Sequence, residues 1–352
     1  MTPPSPPTAP AEPSGRARVD YRETSLRPSW DSLPAHLHEA VGAAVRSVVV
    51  EGAAPVTTGF TGAYAGRVRL ADGREVFAKV GTPAQPHVVG ALTEEARLLA
   101  ALPPGIPAPV LVAAGGSGGW RFLVLDVLEG HLPGMPWTRP DADAAHEACL
   151  ALAEAGTPAP VDLVSGSFGP LFAGDARVQA TAAALADGSF VLAPGLSTVL
   201  LEHAAEVARL TRLAPRVLRG PSLVHSDVRP DNLLVDRSGR VHLLDWNWLC
   251  TGPAWVDLVG LMPLMALDGL DTGALMAASP LTRDADPEHV DAFLAAVTVY
   301  MAGNLDAPPP PGCTPALRRH QHHMAGAFLA MLADRRGWAV RPQGAAPAGA
   351  RG

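Results

Sequence analysis

The chain has 352 residues, 48% of them apolar and 17% charged, so it can bury a sizeable core and is not a disordered polypeptide. Its 27 basic and 34 acidic residues leave a net charge of −7, which provides no basic footprint for nucleic acid. The 3 cysteines (Cys149, Cys250, Cys313) have neither disulfide-framework nor zinc spacing, and the longest strongly apolar stretch, Leu258 to Leu267, is interrupted by Pro263 and far short of a membrane span, so a cytoplasmic protein is expected.

In chain order, the Pro-rich residues 1–22 lack the apolar centre of a signal peptide and are expected to be a disordered tail, as are the Ala-, Gly- and Pro-rich residues 339–352. Leu33 to Val45 has the pattern of an amphipathic helix. A glycine-bearing loop, Thr57 to Gly66, precedes two alternating segments, Arg67–Ala71 and Arg74–Val80, joined at Asp72-Gly73, which predicts a β-hairpin. Lys79, the only lysine, lies on the second of these strands and on the same side as Phe77. Val88 to Leu102 reads as a helix stopped by Pro103-Pro104. Glu95, three residues after Leu92 and four before Leu99, points with its apolar face, whereas Glu94 lies further round. The apolar run Trp120 to Leu128 reads as a strand ending at Leu125-Asp126. Beyond Glu129 the pattern is helical, with segments 144–155, 198–213 (Ser197 as its N-cap), 256–267, 287–301 and 315–333. A second hairpin, Leu233–Val235 and Val241–Leu244, interrupts them. Strands followed by helices predict an α+β fold.

The chemistry concentrates in Leu223 to Trp248. Asp227 follows His225 by two residues, Asn232 follows Asp227 by five, and Asp245 stands where the second hairpin ends. One of Asn232 and Asp245 enters the hairpin and the other leaves it, so the two oxygen donors meet, a set suited to Mg²⁺. Asp227, before the first strand, is free to face an incoming hydroxyl.

This H-x-D-x-x-x-x-N segment, followed by a strand and D-W, resembles the catalytic loop and metal site of kinase-fold phosphotransferases. Trp246 after the metal-site aspartate, and the sequel Gly252 to Leu258, resemble the aminoglycoside phosphotransferase and choline kinase superfamily, over roughly residues 50–335. The resemblance implies a two-lobed protein-kinase-like fold: a small antiparallel-sheet N-lobe that binds nucleotide (23–126) and a larger helical C-lobe with the catalytic loop and acceptor site (127–338). It implies a small-molecule kinase that uses ATP, with GTP open, and Mg²⁺. Asp227 would be the catalytic aspartate, Asn232 and Asp245 the metal ligands, and His225 and Asp257 structural supports. Lys79 would bind phosphate and pair with Glu95, Gly59-Phe60-Thr61-Gly62 would cover the phosphates, and Asp126, Val127 and Leu128 would form the adenine hinge. The glycine spacing departs from that of protein kinases, and Asn247 replaces an acidic residue common in the family, which leaves one or two metals open.

Two other readings stand beside this one. A nucleotide-binding pseudokinase would keep the fold without turnover. A protein kinase would need a peptide-docking activation segment, for which the stretch between Asp245 and Asp257 is too short. The acceptor is a small molecule, and oligomeric state is open. Seven acids between residues 261 and 306 against Arg283 alone give a net −6. Lining the acceptor pocket they would favour a cationic antibiotic, such as an aminoglycoside or a basic peptide. As a solvated helix-and-loop surface, the commoner arrangement for any one of them, they would leave neutral hydroxyl compounds or an amino or sugar metabolite open. His320, His322 and His323 are expected on a solvated helix face, His242 as a packed or edge strand histidine, and Trp246, Trp248 and Trp255 in the core.

Overall fold

The computed structural model describes residues 19–164 and 166–338. The first lobe is a five-stranded antiparallel sheet in the order β1-β2-β3-β5-β4, from β1 (Val49–Gly52), β2 (Tyr64–Leu70), β3 (Glu75–Gly81), β4 (Leu111–Ser117) and β5 (Trp120–Leu125). The predicted hairpin is β2–β3. Its turn is made at Gly73, whose φ of +87° suits a residue without Cβ, and Asp72 accepts a hydrogen bond from the Arg74 amide.

Period-two alternation divides β3 between two covers. Val76, Ala78 and Val80 pack with Leu37, Val41 and Val45 of helix α1 (Ala35–Val45). On the opposite face Phe77 packs with Val88 and Leu92 of α2 (Pro86–Leu99), so Lys79 also faces α2. The structure corrects two boundaries here. The α2 helix ends at Leu99 rather than Leu102, and Tyr21, assigned to the tail, is buried in a turn of 3₁₀ helix, while β5 ends at Leu125 as predicted. Residues 1–18 and 339–352 lie outside the described residues.

The second lobe is mainly helical: α3 (Arg139–Ala155), α4 (Phe168–Gly174), α5 (Ala176–Asp187), α6 (Val199–Glu202), α7 (Ala204–Val217), α8 (Val256–Leu267), α9 (Thr272–Ala278), α10 (Pro287–Ala302) and α11 (Ala316–Arg336). Its short strands are β6 (Gly130–His131), β8 (Leu233–Asp236) and β9 (Val241–Leu243) in one sheet, and β7 (Ser222–Val224) with β10 (Cys250–Gly252) in another. Helix α10 is apolar nearly all round and packs against both α7 and α11, as a helix buried on most sides must. The predicted helix over 198–213 is two helices broken at His203, and Ser197 reaches only the Val199 amide, one residue outside the cap position. No described helix is long and apolar enough to cross a membrane.

Candidate active site

Lys79 extends from β3 toward α2, where its ammonium donates to both carboxylate oxygens of Glu95 at 2.8 and 3.0 Å. The same ammonium is ion-paired with Asp245, 166 residues away in the second lobe. Burial by itself would drive the lysine toward neutrality, but Asp245 and Glu95 raise its pKa and keep it charged. Burial likewise pushes the Asp245 carboxyl up, and the Lys79 charge outweighs this, with Arg229 and Arg27 contributing, so it is held below the usual carboxylate range. The helical phase thus distinguished the two adjacent glutamates, since Glu94 pairs with Arg97 on the exposed side of α2.

The loop between β7 and β8 carries His225, Asp227 and Asn232. The Asp257 carboxylate, at the start of α8, accepts from the backbone amides of His225 at 2.8 Å and Ser226 at 2.9 Å. Ser226 has a φ of +66°, a left-handed conformation that is costly for a residue with Cβ, and these two bonds hold it there. The His225 ring donates from Nε2 to the Leu244 carbonyl, and burial keeps the imidazole neutral. Asn232 donates from Nδ2 to the backbone and carboxylate oxygens of Asp227, both at 2.9 Å, so its amide oxygen is the atom left for a cation. Asp245, also left-handed at φ +62°, directs its carboxylate into the cleft and remains 41% exposed there.

Arg229 was not singled out from the sequence. Its Nη1 donates to both carboxylate oxygens of Asp227 at 2.5 and 2.6 Å, and its Nε to Asp231 at 2.8 Å. The signal available was its position two residues after Asp227, where a side chain can fold back on that carboxylate. Burial raises the Asp227 pKa, Arg229 opposes the rise, and Asp245 adds to it, with a net upward shift. The second Asp231 oxygen is buried without a hydrogen-bond partner.

Two cavities meet at this cluster. One, of about 520 Å³, is lined by Gly59, Thr61, Lys79, Glu95, Asp126 and Asp245, with Leu128 and Asp231 also in its wall. Its volume is that of a ligand site. Asp126 accepts from the Val110 amide and fixes the segment after β5. The four-residue loop Gly59–Gly62 does not act as one surface. Phe60 turns out of this cavity and packs with Tyr21 and Ala316, with the Arg229 guanidinium 5.1 Å from its ring centre. Gly62 instead faces the Gly312 carbonyl, and Val127 is not among the lining residues. Arg27 lines the cavity too, pinning the loop by donating to the carbonyls of Thr58 and Ala63 at 2.7 and 2.6 Å.

The second cavity, about 430 Å³, opens beside Asp227 and is walled by α4, α8, α10 and α11. Trp248 lines both cavities and is 60% exposed, so it is a wall rather than the core residue expected, while Trp246 and Trp255 are buried as expected. His320 is also corrected. It is 4% exposed, lines the second cavity and hydrogen-bonds with the Tyr21 hydroxyl at 2.9 Å. His242 is half-buried on β9 and hydrogen-bonds with Asp236. None of the seven acids of 261–306 lines this cavity. Glu288 and Asp291 pair with arginines on α7 and α11, and Asp306 with Arg177. Asp271 and Asp286 cap helices, Asp268 accepts from the Trp137 amide, and Asp284 pairs with Arg283.

The sequence matches the model of the phosphotransferase enzyme family over residues 59–300. Over 57 residues it is 42% identical to human serine/threonine-protein kinase 32C, a stretch of 15% of this chain and 12% of that kinase. The chain therefore spans about an eighth of the length of that curated relative. Among solved structures, it is similar to a spectinomycin phosphotransferase in complex with ADP and spectinomycin (TM-score 0.57, 9% identity, 85% of this chain and 98% of the other covered). It is also similar to a macrolide 2′-phosphotransferase type I (0.53, 18%, 85% and 96%) and to a putative fructosamine-3-kinase from Thermobifida fusca (0.52, 19%, 84% and 98%). At these identities the likeness is one of fold: the two-lobed, kinase-like α+β architecture.

Proposed function

The chain belongs to the phosphotransferase enzyme family, and from that premise we propose that it transfers the γ-phosphate of ATP to a hydroxyl of a small molecule. One observation carries the reading: Lys79, Asp245, Asn232 and Asp227, drawn from two lobes, converge where the two cavities meet. The nucleotide belongs in the cavity beneath the sheet, with the purine toward Asp126 and Leu128 and the phosphates toward Lys79 and the loop at Gly59 and Thr61. The acceptor belongs in the cavity beside Asp227.

The donor set fits Mg²⁺. Asp245 and the Asn232 amide oxygen are hard ligands, and the unpartnered oxygen of Asp231 adds negative charge to the same wall. When bound, the ion would neutralise phosphate charge and orient the triphosphate. Lys79, kept charged by Glu95, balances the remaining phosphate charge.

In the transfer, an oxygen lone pair of the acceptor hydroxyl forms the new bond to the γ-phosphorus. The bond from phosphorus to the β,γ-bridging oxygen breaks, and ADP leaves with its electron pair. The hydroxyl proton passes to the Asp227 carboxylate, whose raised pKa makes it a better acceptor than an ordinary aspartate. Asn232 and Arg229 orient that carboxylate, and Asp257 fixes the backbone beneath it.

The test follows labelled γ-phosphate from ATP to product across a panel of hydroxyl compounds, with GTP as the competing donor. Stoichiometric ADP and phosphorylated product support the reading. No binding of Mg²⁺-ATP by calorimetry and no ADP with any acceptor would refute it. A pseudokinase is disfavoured because every group the chemistry needs is present and assembled. A protein kinase is disfavoured because a 3₁₀ turn and β10 occupy the stretch between Asp245 and Asp257, leaving no peptide platform.

A further inference from the structure

We propose that the acceptor is a largely apolar hydroxyl compound carrying at most one positive charge, and not a polycation. The inference rests on the phosphotransferase reading above and concerns the cavity beside Asp227. Of the chain's 8 Phe, 7 Trp and 3 Tyr, six line this cavity: Phe168, Phe172, Trp248, Phe293, Tyr300 and Phe328. Phe293 stands at the centre of the buried part, in ring contact with both Phe168 and Phe328. Met301 and Met324 complete a wall that adapts to irregular apolar shapes.

Most polar groups in the wall are already engaged. Asp257 is spent on the amides of His225 and Ser226. Asp227 is held by Arg229 and Asn232, His320 by Tyr21, and the Ser226 hydroxyl by the Trp248 carbonyl. Asp175 caps α5 with one carboxylate oxygen, which accepts from the amides of Arg177 and Val178, and keeps its other oxygen open. The charges in the wall are three carboxylates and Arg229, but Asp227 is paired with that arginine and Asp257 is buried on its two amides, so an ammonium group finds one open carboxylate oxygen, on Asp175. A polycation entering this space would lose water around several charges and regain few partners, and an unpaired charge is costly to bury.

The mouth supports the same class. Trp248, Leu171 and Tyr300 line the cavity yet stay 60, 47 and 37% exposed. An apolar rim around a concave, apolar interior is a surface that gains free energy when an apolar body covers it. The volume, about 430 Å³, is that of a drug-sized organic molecule and much larger than a simple alcohol needs.

The test is calorimetric titration of the full chain loaded with Mg²⁺ and a non-hydrolysable ATP analogue. The probes are chloramphenicol, which is neutral and aromatic, a macrolide, which is an apolar macrocycle with one amine, and the polycation kanamycin. The expected result is binding of at least one apolar probe about ten-fold or more tighter than kanamycin, which takes only one or two buried CH₂ groups' worth of contact. That affinity should change less than about two-fold between roughly 50 and 500 mM salt, because no screened charge attraction carries it. Leu171→Glu, at an exposed rim position, should weaken the apolar probe by about ten-fold. Kanamycin binding as tightly as the apolar probes, or no apolar probe binding at about 1 mM while the analogue binds, would overturn the proposal. Failure of the nucleotide analogue itself to bind would overturn the phosphotransferase reading instead.

Discussion

Asp257 offers the sharpest test of how the catalytic loop is held. Its two carboxylate oxygens each take one backbone amide, at 2.8 and 2.9 Å, and the residue is buried. In Asp257→Asn the shape is kept, but one acceptor becomes an amino group that faces an N–H donor. One buried amide is then left unsatisfied, at a cost of about 1–3 kcal/mol, and the surviving bond loses its charge assistance, about 1 kcal/mol more. A destabilisation of about 2–4 kcal/mol is expected from urea denaturation at neutral pH. The same bonds hold Ser226 at φ +66°, and Asp227 is the next residue. Released, Ser226 relaxes toward ordinary backbone angles and carries Asp227 with it. A displacement of about 1 Å lowers turnover by about 10²-fold. ADP release in the presence of a working acceptor reads kcat, while Mg²⁺-ATP affinity by calorimetry should stay within about three-fold of the parent, about 0.7 kcal/mol, because Asp257 does not line the nucleotide cavity. A variant with parental stability and parental kcat would show that the loop is held by something else.

The other predictions use the same preparations. Asp227→Asn should lower kcat by about 10²- to 10⁴-fold with Mg²⁺-ATP binding retained, and near-parental turnover would remove Asp227 from the proton-accepting role. Asp245→Ala should weaken Mg²⁺-dependent nucleotide binding more than Asn232→Ala, since a carboxylate contributes charge that an amide does not, and equal affinities in titration would place the metal elsewhere. His320 and His225 are held neutral by burial, with pKa values below the ordinary histidine range. The unfolded chain therefore binds protons below about pH 6.5 that the folded chain refuses, and stability should fall on acidification by up to about 1.4 kcal/mol per pH unit per histidine. His320→Gln should reduce that acid slope in denaturation curves from pH 7.5 to 5.5, and an unchanged slope would contradict the assignment.

What the sequence made legible was the part governed by local spacing. Alternation in β3 put Lys79 on the Phe77 side, and helical phase put Glu95 rather than Glu94 opposite it. The hairpin of β8 and β9 brought the ends carrying Asn232 and Asp245 together, since the Leu244 amide donates to the Asn232 carbonyl. The misses share one cause, which is dependence on distant chain. His320 is buried because Tyr21, 299 residues earlier, lies over it, and nothing in the spacing of α11 encodes that cover. Phe60 leaves the nucleotide cavity for the same cluster, drawn by Tyr21, Ala316 and the Arg229 guanidinium. Trp248 stands in the open because two cavities meet there, and a two-residue repeat of tryptophans carries no information about cavities.

The charge of residues 261–306 shows why composition by segment does not describe the wall of a cavity. A helix presents successive residues to different surroundings, so one stretch of chain builds a cavity wall with some residues and a solvent face with others. In α10, Phe293, Val297, Tyr300 and Met301 line the cavity. Glu288 and Asp291, on the same helix, pair with Arg209, Arg335 and Arg336. The acids serve the packing of α10 against α7 and α11, and their charges are largely balanced where they stand. What an acceptor meets is therefore the uncharged part of the segment. Electrostatic steering needs uncompensated charge in the wall of the cleft, and there this segment contributes rings and a thioether, the wall's carboxylates (Asp175, Asp227 and Asp257) coming from elsewhere in the chain. The net −6 thus lies outside the cavity wall, and the charge count ignored the six aromatic residues that line it.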